Sequence, residues 1–294
     1  MSERRLIVNA DDLGYSRGIN EAVVRCARQG FLRSATIMAG GEAFEHALEL
    51  VREVPHLGIG VHLTLTELRP VLPSVELPGL LNGAGVLHTT ARTLYPLLAI
   101  KRTVRESLRR ELSGQMEKVL AQGIHPTHVD SHKHLHALPG VLDVVLEVAG
   151  RFGVRWIRNP FDDTPVSSVV RAVHRRNRQT FRAQSRKALA IHVFKPLFLA
   201  LVRRAGMASP AHFYGVGLTG VWHPNALAVL ASHLRPGVSE VMFHPGDCDA
   251  ELRGRRTRLL DQREVERDLL LSESMRDVIQ AHDISLISYG EIAP

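Results

Sequence analysis

The chain has 294 residues, 45% hydrophobic, 23% charged and 5% aromatic, which excludes a disordered polymer and leaves ample length for a full apolar core. Lys and Arg number 37 against 30 Asp and Glu, a formal charge of +7. Only Lys101, Lys118, Lys133, Lys187 and Lys195 are lysines, so the excess reads as an arginine-rich composition, and a nucleic-acid partner is not expected.

In chain order, β-rich runs at 5–10, 35–39, 58–65, 127–131, 154–158, 213–216, 240–243 and 284–288 alternate with segments of 3.6-residue periodicity. The periodic segments are 19–29, 42–52, 103–122, 141–152, 225–234 and 262–281, with Gly30 and Gly123 placed to close helices and Pro139 and Pro224 near helix starts. Strands alternating with helices imply parallel pairing with helical crossovers, and eight candidate strands point to a distorted (β/α) barrel. A doubly wound open sheet is the alternative. Two stretches interrupt the alternation: a Pro-, Gly- and Leu-rich loop at 70–98 and an insertion at 162–212. The insertion opens with basic residues and continues into an apolar stretch at 188–202. No linker divides the chain, so a single domain over 1–294 with two excursions is expected.

Cys26 and Cys248 cannot build a disulfide framework or a four-thiolate metal site. The opening apolar run, Leu6, Ile7 and Val8, is too short for a signal peptide, and no stretch of about 18 apolar residues occurs. A cytoplasmic protein is expected.

The polar residues that end the strands carry the chemistry. The first run leads into Asp11 and Asp12, the third delivers His62, the fourth delivers Asp130, His132, His134 and His136, and the seventh delivers His244. In a (β/α) barrel these ends share one face. Asp12, His62 and His132 offer one carboxylate and two imidazoles from three strands, a competent catalytic metal set with positions left for water and substrate. Zinc suits that set best; magnesium, manganese or cobalt are alternatives. Of the adjacent Asp11 and Asp12, one can ligate while the other stays free as a base, and His244 could supply a proton. Taken singly, each feature has a plainer reading: a turn or helix cap for Asp-Asp, a core histidine for His62, a turn for His-Pro-Gly. Their joint placement favours a site.

Four blocks extend this reading: Val-Asn-Ala-Asp-Asp-Leu-Gly at 8–14, Gly-Val-His-Leu-Thr-Leu at 60–65, Thr-His-Val-Asp-Ser-His-Lys-His-Leu-His at 127–136 and Phe-His-Pro-Gly at 243–246. In order and content they resemble the YdjC-like carbohydrate deacetylases. That resemblance implies a distorted barrel with one divalent metal on Asp12, His62 and His132, Asp11 as base and His244 as acid. The family often has a second His where this chain has Lys133, a departure that bears on substrate contact rather than on the ligands. The insertion, with His-Phe-Tyr-Gly-Val-Gly-Leu-Thr-Gly at 212–220, resembles the hopanoid-biosynthesis-associated branch, which implies N-deacetylation of an N-acetylglucosaminyl hopanoid glycolipid.

His134 and His136 are expected to support the site or touch substrate. Arg158 is expected to orient Asp11, to bind a sugar hydroxyl, or to form a surface ion pair. The stretch 188–202 could shelter a hydrocarbon or lie in a membrane surface, at the inner membrane, with Arg182, Arg186, Lys187, Arg203 and Arg204 facing anionic headgroups. A buried helix kinked or ended at Pro196 and a homodimer contact are the alternatives. Other functions compete as well: deacetylation of a soluble N-acetylated oligosaccharide, a metal-dependent phosphoesterase, which would recruit more carboxylates, and a non-catalytic lipid-binding protein.

Overall fold

The computed structural model describes residues 3–29, 31–87, 96, 101–255 and 257–292. The expected helix stop at Gly30 and residues 88–95 and 97–98 of the expected loop lie outside these.

Seven strands form one parallel sheet: β1 Arg4–Leu13, β2 Ser34–Ile37, β3 Gly58–Leu63, β4 Val129–Ser131, β5 His212–Tyr214, β6 Gly237–Phe243 and β7 Ile284–Ile287. Their order is β4-β3-β2-β1-β6-β5, and β7 pairs with β1. β1 is the spine. Its residues from Leu6 onward are buried, as suits a parallel strand covered on both faces. Its first half pairs with β7 from Arg4 to Ile7 and its second half with β2 from Asn9 to Leu13, while β6 runs along it from Arg4 to Ala10.

Between β4 and β5 the ladder gives way to single bridges. Ile157 pairs with Val129, Trp156 with Ala208 and Asp162 with Phe213, so the chain at 156–162 spans the gap. The expected strand at 154–158 is therefore reduced to isolated bridges. It is hemmed in by Gly153 in the left-handed region and by Pro160, which has no N–H to extend a ladder. The result is a half-barrel sheet closed by irregular chain, with helices outside: a distorted α/β barrel.

The periodic segments become helices at Arg17–Arg28, Phe44–Val51, Arg102–Leu120, Val141–Arg151 and Pro224–Ser232. The expected helix over 262–281 is two, Gln262–Leu270 and Glu273–Ala281, parted where Ser272 takes an extended conformation (φ −82°, ψ 157°). In the helix Arg102–Leu120, buried Glu111 accepts the backbone N–H groups of Val71 (2.8 Å) and Leu72 (3.1 Å), tying down the start of the loop after β3.

The insertion folds as helices Val166–Ala172, Arg178–Ala190 and Lys195–Arg204, with a 3-10 turn, Ile191–Phe194, before the last. Pro196 sits in the first turn of the last helix, where its missing N–H costs nothing. The apolar stretch 188–202 is thus neither one buried helix nor one exposed one. Ala188, Phe198 and Val202 are core, with Phe198 packed edge-on against Phe161, whereas Leu189, Val193 and Leu197 are exposed. Among the described residues, no helix is long and apolar enough to cross a membrane.

Candidate active site

The β1–β2 register shifts between Ala10 and Leu13, a bulge located at Asp11 and Asp12. Asp12 takes φ +69°, outside strand geometry. In a regular strand the two side chains would point to opposite faces; the bulge lets both carboxylates line one cavity of about 780 Å³.

The ladder between β3 and β4 sets His62 beside Asp130, and the imidazole Nδ1 lies 2.7 Å from that carboxylate. The opposite nitrogen, Nε2, lies 3.5 Å from Asp12 Oδ1, and His132 Nδ1 approaches the same oxygen to 3.4 Å. His132 Nε2 lies 3.1 Å from Glu67, so each imidazole has a carboxylate on its far side, the arrangement that orients metal-binding histidines. Asp12 Oδ1 is buried without a hydrogen-bond partner. Asp12 Oδ2 accepts from Arg263 (2.5 Å). One bare carboxylate oxygen facing two imidazole nitrogens is a donor set that fits a single divalent ion.

A second group, Asp11, His62 and Asp130, is equally close-set, but its charge is already met. Arg158 pairs with Asp11 (2.7 Å), Asp130 (2.5 Å) and Glu240 (2.7 Å), and it is fully buried among them. Glu240 also accepts from the Tyr289 hydroxyl (2.5 Å).

These neighbours set the protonation states. Burial opposes ionisation of Asp11, but the Arg158 charge and its hydrogen bonds outweigh it and hold the carboxyl below its ordinary value. For Asp12 burial is likewise overcome, by Arg263 and His132, and the carboxyl sits well below the usual range. Burial disfavours the charged His132 ring, yet Asp12 and Glu67 raise it to about 9. The two carboxylates thus make the ring a strong proton acceptor, and a metal ion held there would displace that proton.

His244, at the end of β6, has Nε2 4.0 Å from Asp11 across the cavity, and its backbone N–H donates to Glu266 (2.6 Å). His134 lines the cavity, edge-on to Phe213, and burial depresses its basicity well below the imidazole norm. His136 does not line it. That ring is fully buried, 2.6 Å from Ser131 Oγ and 3.2 Å from the Arg158 carbonyl. Of the two roles expected for His136, support of the site or contact with substrate, its burial beneath the cavity fits the first; Arg158 is likewise sealed off from the cavity, and of the roles open to it the hold on Asp11 is the one the structure contains. Lys133, with φ +59°, pairs with Glu67 (2.5 Å).

Sequence reasoning missed Glu67, Arg263 and Glu266 as site residues. The helix Gln262–Leu270 buries Arg263 and Glu266 beside Leu269 and Leu270, yet exposes Val265. Charged residues on the inward stripe with an apolar one outside was the available signal.

Strand-end donors gathered around one cavity of an α/β barrel define an enzyme of the barrel class. Residues 5–281 match the YdjC-like protein family, and the chain belongs to it. A carbohydrate deacetylase of Brevibacillus brevis is 32% identical over 289 residues, covering 98% of this chain and 99% of that one. The carbohydrate deacetylase of Geobacillus stearothermophilus is 31% identical over a matching span of 289 residues. A chitooligosaccharide deacetylase of Enterobacter is 38% identical over 157 residues, 52% of this chain and 58% of its own. A provisionally named cellobiose-phosphate cleavage protein of Enterococcus faecalis V583 shares the fold, with TM-score 0.78 at 22% identity over 100% of both chains.

Proposed function

We propose that this protein is a metal-dependent hydrolase that removes the acetyl group from an N-acetylated sugar. The observation that carries the reading is the bare Asp12 oxygen facing His62 and His132, in the cavity where Asp11 faces His244. Asp12, His62 and His132 would hold one divalent ion, zinc in preference to magnesium, manganese or cobalt. When bound, it would supply a Lewis acid that polarises the acetyl carbonyl and makes water more acidic.

The chain's own groups handle the protons. Asp11 is kept ionised and fixed by two bonds from Arg158 (2.7 and 2.8 Å), and it retains lone pairs to accept a proton from the attacking water. Water oxygen adds to the acetyl carbon and the C–N bond breaks. His244 Nε2 delivers a proton to the departing nitrogen, so acetate and a free sugar amine leave. Arg263 holds Asp12 from its other oxygen, and Asp130 and Glu67 hold the two imidazoles.

For the acceptor we propose an N-acetylglucosaminyl hopanoid glycolipid, which the insertion and the 212–220 run support. The names of the bacterial relatives favour a soluble N-acetylated oligosaccharide as the second reading. Acetate release from lipid-linked and soluble N-acetylglucosaminides tests both. Release from either substrate class is expected, and from the lipid-linked one preferentially; none from any N-acetylated sugar would refute the deacetylase. His62→Ala and His132→Ala should each lose most bound metal by elemental analysis while melting near the wild-type temperature. Wild-type metal content in either would refute the ligand set.

A further inference from the structure

Between Asp163 and Glu240 the sequence has no acidic residue at all, and its segment 164–211 carries ten Lys and Arg. That exceeds the whole chain's net +7, so the rest of the protein is net acidic and the charge is segregated onto the insertion. Among the described residues, the only ion pair in that segment is Lys195 with Asp163 (3.5 Å). Among the described residues, no carboxylate pairs with the remaining cations of the segment.

The same segment holds an apolar ridge. Leu189, Val193 and Leu197 recur every four residues through the helix Arg178–Ala190, the 3-10 turn Ile191–Phe194 and the helix Lys195–Arg204. They are 66%, 73% and 46% exposed, and exposed large apolar residues are few among the described residues. Arg182 and Arg186 precede the ridge at the same helical spacing, and Arg203 and Arg204 follow it, all exposed. One helix joins this surface to the cavity. In Arg178–Ala190, Phe181, Ser185 and Ala188 face the core, while Gln179, Thr180 and Gln184 line the cavity. Arg182, Arg186 and Leu189 occupy a third, outward face.

We propose that the insertion is a membrane-docking surface that seats this protein on an anionic bilayer, with Leu189, Val193 and Leu197 entering the headgroup–acyl boundary and the flanking arginines meeting lipid phosphates. An apolar ridge bracketed by unmatched cations is the complement of an anionic lipid–water interface, where apolar burial and attraction to headgroups act together. A soluble partner of ordinary composition would leave the charge unmet. Docking at this helix would bring a lipid-linked substrate to the wall of the cavity by lateral diffusion.

The test is co-sedimentation of the full chain with vesicles of phosphatidylcholine alone or mixed with phosphatidylglycerol, at low and high salt. Binding needs no turnover, so its outcome is separate from that of the deacetylase reading. Wild type should sediment with the anionic vesicles, weakly with neutral ones, and less at high salt. A Leu189→Gln, Val193→Gln, Leu197→Gln variant should lose about tenfold or more in partitioning, and Arg203→Gln with Arg204→Gln a similar factor. These positions are exposed and lie outside the cavity, so acetate release from a soluble substrate should be unchanged in both. Three results would overturn the proposal. One is absence of binding to anionic vesicles. Another is unchanged binding by the triple Gln variant, which would make the surface a site for polyanions in general, nucleic acid included. The third is a wild-type dimer by sedimentation velocity that the triple variant converts to monomer, which would make the ridge a contact between copies.

Discussion

Arg158 is one buried cation among three buried carboxylates, Asp11, Asp130 and Glu240, all within 2.8 Å of its guanidinium. Replacing it with Met keeps much of the volume and removes the charge. Deleting one partner of a buried ion pair costs about 3–5 kcal/mol, because the remaining charge is left without water or counter-ion. Three carboxylates share this counter-ion, so Arg158→Met should lose at least that much of a total stability of about 5–15 kcal/mol. The loss should depend on pH, and its sign follows from the direction of the Asp11 shift. In the wild type Asp11 is held below its ordinary value, so its contribution is present above that value and disappears only as pH falls through the lower folded value. Without Arg158, burial dominates and pushes the carboxyls above their ordinary values, so the variant is penalised at neutral pH and recovers as acid neutralises them. Urea denaturation at about pH 7 and about pH 4.5 should therefore show a large deficit in the first and a smaller one in the second. Arg158→Lys keeps the charge with fewer donors and should fall between. A deficit below about 1 kcal/mol, or one that is equal at both pH values, would show that Arg158 acts by packing and not by charge.

Three further outcomes follow from the same neighbourhood. Asp11→Asn should keep its metal and lose about 10²–10⁴-fold in turnover, measured by acetate release; near-normal turnover would place the base elsewhere. A Cβ at Gly60 would lie 2.4 Å from His128 Cε1 and 2.5 Å from Nδ1, and that ring is stacked on Tyr289. Gly60→Ala should cost about 1–3 kcal/mol in urea denaturation, with His128→Ala on the same chain costing less than the two separate losses combined; strict additivity would mean that the clash is relieved some other way. Burial pushes His128 down to about 3, so it stays neutral in the fold while the unfolded chain takes up a proton. The His128 contribution to stability should be full above about pH 6.5 and decline toward pH 3, and His128→Phe should flatten the acid slope in part, since His136 is also lowered, to about 4, and His134 as well. An unchanged slope in His128→Phe would contradict this.

The strands and their polar ends were legible because parallel strands covered on both faces read as short apolar runs, and the residue that follows each run lands on a known face. β1, β3 and β6 delivered Asp11, Asp12, His62 and His244 to one cavity for that reason. The His132–His136 cluster was legible only as a cluster. Lys133 and His134 both adopt left-handed backbone there, which turns His136 under the site instead of toward the cavity. Glu67 was hidden for a similar reason, since it sits in the loop after β3 at φ +74°, where no periodicity applies. Arg263 and Glu266 were masked by the charge of their own helix, in which outward Asp268 looks no different from inward Glu266. The insertion's apolar stretch was visible, but its division into core and ridge depended on the 3-10 turn Ile191–Phe194, whose tighter winding shifts the helical phase.

The bulge in β1 also limits how this chain can vary. β7 and β6 fix the first half of β1 and β2 fixes the second, so a residue added or removed at 10–13 cannot be absorbed by sliding the strand. The spacing between Asp11 and Asp12 and their partners on three other strands works as a gauge block: either both carboxylates face the cavity or neither pairing survives. Length changes should therefore be tolerated better among the insertion helices at 166–204, which pair with no strand, and the fold should withstand a substitution at 10–13 better than an insertion or deletion there.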